Sequence, residues 1–154
     1  MRNAAIVLAL LALPAFTHAA PLDMKRPLVR YHTGVGLAGG CKTSNPACTT
    51  VAAEFTCGCE RRDHAWVLAP EIVAQPTIYS TSDRYMRHEM EHIADVRESL
   101  DEYTASLLVR SFPSAAACND FVAAEAKAFP STMRSIERAT TIRRDGVLFA
   151  GPVE

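Results

Sequence analysis

Neither sign of charge is in excess in this 154-residue chain, where 16 Lys and Arg stand against 17 Asp and Glu for a formal net charge of −1. A near-neutral pI of about 6.5 gives no overall positive field for a phosphate backbone, so a nucleic-acid binder is not expected. Low-complexity tracts and internal repeats are also missing. With 49% of residues hydrophobic and 21% charged, the composition excludes an intrinsically disordered chain. No apolar run is long enough to cross about 30 Å of hydrocarbon as a permanent anchor.

The longest apolar run lies at the start. Met1-Arg2 supplies one positive charge, Ala4–Ala15 is apolar apart from Pro14, and Thr17-His18-Ala19 brings small residues to a plausible cleavage point. This is the pattern of a secretory signal peptide over residues 1–19, leaving 20–154 as a single domain in the periplasm or outside the cell. No Cys follows closely, so no lipid anchor is expected there. Export in turn decides how the cysteines are read. Cys41, Cys48, Cys57 and Cys59 cluster, and Cys118 stands alone. In an oxidising compartment they point to disulfides before metal ligation. Cys41 is expected to pair with Cys48, and either Cys57 or Cys59 with Cys118; a Cys57-Cys59-His64 metal cluster is the lesser alternative.

Composition shifts near residue 80. Up to that point the chain is β-leaning: Leu28–His32 reads as a short strand, Cys41–Arg62 as a stapled loop with at most a short strand, and His64–Leu68 and Ile72–Tyr79 as strands punctuated by Pro70 and Pro76. Proline inside a run is best tolerated at an edge, so a small antiparallel, disulfide-stapled sheet with Ile72–Tyr79 exposed is expected. From Thr81 to Pro113 there is no Gly or Pro, and Thr81, Ser82 and Asp83 offer N-caps. Tyr85, Ile93, Val96, Leu100, Tyr103, Leu107 and Leu108 form one apolar stripe at helical spacing. Further helices are expected over about 114–129 and 131–144, separated at Pro130. The fold class is therefore α+β, a small sheet followed by a long helix and a C-terminal helical hairpin.

That long helix carries His88-Glu89-Met90-Glu91-His92, a match to H-E-x-x-H. Positions i and i+4 share one helix face, so two imidazoles can reach one Zn²⁺ ion, while the intervening Glu89 is placed as general base for a water at the open position. Chance supplies such a match in roughly one chain in a hundred of this composition. A third protein ligand is required. The metzincin spacing puts a histidine where this chain has Glu98, which on a continuing helix points away from the His88/His92 face. Asp95 lies nearer, and reads as an acid orienting an imidazole. A Glu from a following helix makes Glu125 another candidate.

The segment from Arg87 through Gly146 resembles a family of bacterial, predicted secreted zinc-dependent proteases. The likeness covers a strand leading into the long H-E-x-x-H helix and a second helix opened by Cys118-Asn119-Asp120-Phe121. It then runs toward a closing Tyr-Asp-x-x-Thr-x-His-Gly signature. His88, Glu89 and His92 carry over as two metal ligands and a base. The closing motif departs from the family: Ala139 and Thr140 stand at its Tyr and Asp, and Asp145-Gly146 at its His-Gly. The resemblance thus implies a zincin-like fold and, if the closing His is a ligand, Asp145 as its carboxylate replacement, ahead of Glu125 and Glu98. Arg143 and Arg144 either face substrate or sit as exposed cations at a helix C-terminus. The expectation is an exported zinc metallopeptidase acting on a peptide or protein. The alternatives are a non-catalytic envelope binding module with a structural or vestigial metal site, and an amidase acting on cell-wall peptides.

Overall fold

The computed structural model describes residues 21–32 and 46–145. The expected signal peptide over residues 1–19, Cys41 with its expected bond to Cys48, and Gly146 lie outside the described residues.

The scaffold is one long hairpin. Strands β3 (Ala47–Arg62) and β4 (Ala65–Ser80) pair antiparallel from Ala47↔Ser80 to Arg62↔Ala65. They turn through Asp63, whose φ of 52° is a left-handed conformation that Asp tolerates through its short polar side chain. The expected loop over 41–62 is therefore corrected for most of its length. The reason lies in alternation of small residues. Val51, Ala53, Phe55, Cys57 and Cys59 all pack against the core, while Ala52, Glu54, Thr56, Gly58 and Glu60 fall on the opposite face by the two-residue period.

Strand β4 is the centre of the sheet, not its edge. On the side away from β3 it pairs with β1 (Leu22–Met24), β2 (Leu28–Tyr31) and β5 (Ser111–Phe112). β1 and β2 run parallel to it, and β5 antiparallel. The sheet is therefore mixed, and the expectation of a purely antiparallel sheet is corrected. The two prolines fit because of where their missing N–H groups fall. Ile72 donates to Pro21 and Ala74 accepts from Lys25, so even-numbered residues of β4 aim their backbone at this segmented edge. Pro70 lies in the gap between the β5 and β1 pairings, and Pro76 in the gap between β1 and β2. Neither removes a ladder bond, so a central strand carries two prolines without loss.

Two helices cover one face. α1 (Met86–Leu108) follows a 3₁₀ turn at Asp83–Tyr85, and no side chain caps its first turn, contrary to the expected Thr81, Ser82 and Asp83 caps. α2 spans Ala115–Asp145 without a break. The expected break at Pro130, and with it the C-terminal helical hairpin, is corrected. Pro130 is exposed, while Phe129 and Met133 beside it are both buried in the main core. Packing on each side of the proline holds the two halves in one helix against the loss of one backbone bond.

The main core joins Leu22, Val51, Ile72 and Ala74 of the sheet to Val96 and Leu100 of α1 and Phe129 and Met133 of α2. A second cluster at the far end holds Leu68, Leu107 and Cys118, and there Cys59 bonds to Cys118 across 59 residues of sequence. Cys57 is the free thiol among the described cysteines. Pinned there, α2 runs about 45 Å to bring its last residue, Asp145, back to the start of α1. No helix among the described residues is long and apolar enough to cross a membrane.

Candidate metal centre

The buried stripe of α1 comprises Glu89, Ile93, Val96, Leu100, Thr104 and Leu107, with Asp95 at its flank. Glu89 therefore heads the core-facing stripe, and His88 and His92 occupy the adjoining flank one turn apart. Their rings stand nearly perpendicular, at 85°, with both Nε2 atoms turned inward 3.1 Å apart. Asp145 Oδ1 lies 3.0 Å from His88 Nε2 and 3.4 Å from His92 Nε2.

These three donors suit one ion. Ligands held tetrahedrally at the 2.0–2.1 Å of Zn–N and Zn–O bonds lie about 3.3 Å from one another, close to the spacing observed. Three lone-pair-bearing atoms this close repel unless a proton or a cation is shared among them. His92 is 12% exposed and His88 48%, so the site is walled on the His92 side and open past His88. Among the described residues, His88, His92 and Asp145 form the group with metal-ligand spacing. The Cys57-Cys59-His64 alternative does not assemble, because Cys59 is in a disulfide and His64 sits at the hairpin turn.

Of the competing third ligands, Glu125 accepts a 2.7 Å hydrogen bond from Tyr103, whose burial beside that carboxylate pushes its hydroxyl well above the usual range. Glu98 forms a 3.5 Å ion pair with Arg143. Neither joins the cluster.

Glu89 is only 4% exposed, and Thr49 of β3 donates a 2.8 Å hydrogen bond to its Oε2. Thr49 was not legible as a site residue, since it lies in a stretch read as loop and 40 residues away. Asp95 does not orient an imidazole. Its two oxygens take the guanidinium of Arg144 as a fork, with Nε and one Nη each at 2.7 Å, which holds its carboxyl below the usual range. The other Nη of Arg144 reaches Glu91 at 3.1 Å. Arg144 is thus held by two acids of α1, while Arg143 is an exposed cation near the end of α2 with one 3.5 Å contact to Glu98.

No protein-family model, curated protein or solved structure matches the chain.

Proposed function

We propose that this chain is an exported, zinc-dependent metallopeptidase with a zincin-like site, its metal held by His88, His92 and Asp145 and its general base supplied by Glu89. The convergence of two imidazole nitrogens and one carboxylate oxygen within 3.0–3.4 Å carries the reading. Two imidazoles and one carboxylate form a ligand set that would leave a fourth position open on a bound zinc ion, as in hydrolytic zinc sites. A bound Zn²⁺ ion supplies a Lewis acid for a carbonyl and lowers the pKa of water toward about 7. Asp145 contributes the negative charge that offsets the ion. Glu89, next to His88, holds a carboxylate that takes a proton from water and returns it to the leaving amine. Thr49 fixes that carboxylate by its hydroxyl, at the cost of one of its acceptor positions.

The same hydrogen bond favours the second reading. A carboxylate that is buried and fastened to the sheet also serves a non-catalytic module with a structural metal. Metal analysis of the purified, oxidised protein tests the centre: about one zinc per chain is expected, lost in His92→Ala. Glu89→Gln separates the readings. Under the enzyme reading the wild type cleaves unfolded protein or peptides, and the variant keeps its zinc while losing hydrolysis. A wild type that binds zinc but cleaves neither peptides nor peptidoglycan fragments refutes the enzyme and leaves the binding module.

A further inference from the structure

We infer that Asp95, Glu91 and Arg144 form a positioning clamp that delivers Asp145 to the two histidines, an inference that rests on the metal-centre reading above. Helix α1 presents two i,i+4 pairs side by side. His88 and His92 make one stripe, and Glu91 and Asp95, each three residues further on, the next, rotated by about 60°. The end of α2 presents the complement in two successive residues: Arg144 to the acidic stripe and Asp145 to the imidazole stripe. The cation and the anion, about 100° apart on α2, each meet the opposite kind of group on α1.

The details favour a device for placing Asp145 over a general surface attraction. The Arg144 fork on Asp95 fixes direction as well as distance, since two parallel N–H···O bonds define the guanidinium plane. Asp95 is 8% exposed at its side chain, whereas the neighbouring Arg143–Glu98 pair is 56% and 65% exposed and has a single 3.5 Å contact. Asp145 is the last described residue of α2. Its backbone is held from the preceding residue, because Arg144 is its chain neighbour. Asp95 and Arg144 touch none of the three donor atoms as ligands, and they act through Asp145.

The test measures Zn²⁺ affinity of the full chain by competition with a chromophoric chelator, with amide hydrogen exchange of the metal-free protein alongside. Arg144→Gln and the near-isosteric Asp95→Asn are each expected to weaken Zn²⁺ binding about 10–100-fold, the usual loss when a partner supporting a ligand is removed. Arg144→Lys, which keeps the charge and loses the fork, falls between. Arg143→Gln leaves affinity unchanged. Combining Arg144→Gln with Asp145→Ala weakens binding no further than Asp145→Ala alone, whereas a purely structural role would make the losses add. In the metal-free protein, Arg144→Gln and Asp95→Asn speed exchange in the last turn of α2. Wild-type affinity in both Arg144→Gln and Asp95→Asn, additive losses with Asp145→Ala, or unchanged exchange overturns the clamp. Failure of the wild type itself to bind zinc overturns the metal centre, and is distinguished by appearing before any substitution.

Discussion

Breaking the Cys59–Cys118 bond gives the sharpest stability test. The bond closes 59 residues of chain, a loop that contains the β3–β4 turn, all of β4, and α1. In the loop-entropy model, a closure of that length removes about 14 cal/mol/K from the unfolded chain, or about 4 kcal/mol at 25 °C. Removing sulfur adds a packing term, because Cys118 is wholly buried against Leu68 and Leu107; a vacated sulfur in such a site costs about 1 kcal/mol more. Cys59→Ser with Cys118→Ala should therefore lose about 5 kcal/mol in denaturant unfolding. With an unfolding entropy of about 2.1 cal/mol/K per residue over the 112 described residues, this lowers Tm by about 20 °C.

Cys57 supplies the control. It packs in the same cluster as Cys59, two residues back on the same face of β3, and burial pushes its thiol up, which slows its attack on the neighbouring disulfide. In Cys59→Ser alone, Cys57 is expected to take over Cys118, so thiol counting finds no free Cys57 and about half of the lost stability returns. A double variant that loses less than about 1 kcal/mol would refute the cross-link argument and show that helix α2 is held by packing alone.

Other consequences are equally open to measurement. Glu137 is partly buried, with the Val51 amide donating to it at 3.1 Å, and burial raises its pKa. A carboxyl raised in the folded state favours folding below its unfolded pKa and loses that contribution as pH rises. Glu137→Gln should accordingly raise stability at pH 7 and do nothing at pH 3; a gain at both would refute the titration argument. Asp95 has the opposite sign, since Arg144 depresses it: its contribution is present at neutral pH and lost as pH falls below the ordinary carboxylate range, so acid unfolding should begin at higher pH in wild type than in Asp95→Asn when each is scaled to its neutral stability. Pro130→Ala restores one backbone bond inside α2 and should stabilise by about 1–2 kcal/mol in denaturant titration, the helix gain less the greater entropy of the unfolded chain. Thr49→Val leaves Glu89 buried with one bond fewer and should cost about 1.5–3 kcal/mol, with Thr49→Ser recovering most of it.

Local pattern was readable where one period dominated. The α1 stripe from Ile93 to Leu107 and the i,i+4 spacing of His88 and His92 follow from helical geometry alone, and the structure places them so. Strand β2 at Leu28–Tyr31 falls within the short run Leu28–His32, which the sequence closes with Gly34 and Gly36. β3 was missed because Ala, Thr, Cys and Gly dilute hydrophobic contrast, although Val51, Phe55 and Cys57 carry a two-residue period. The proline rules misled twice for one reason. Pro70, Pro76 and Pro130 each remove a single N–H, and what that costs depends on whether a partner faced it. On the edge of β4 away from β3, no strand among the described residues pairs at the two prolines, while β3 pairs with both on the other edge; in α2, Phe129 and Met133 outweigh the one lost bond. Such information belongs to neighbours, not to the local sequence.

Asp145 shows the same division. Asp145 entered as a candidate from its place in a resemblance, where the rule of helical spacing along α1 alone would have offered Asp95. Spacing does put Asp95 one turn beyond His92, yet its carboxylate is turned to Arg144. Selecting Asp145 physically requires three facts of tertiary structure: an unbroken α2, its anchoring at Cys118, and the fork from Arg144. The first two set the length and origin of the arm that spans the molecule, and the third sets the orientation of its tip. A donor 53 residues from His92 is held only if all three operate, so lengthening α2 by one residue after Pro130 should rotate Asp145 by about 100° and detach it from both histidines. Zinc binding is then expected to fall as far as in Asp145→Ala, and an insertion that left affinity intact would show that the carboxylate is not held through the helix.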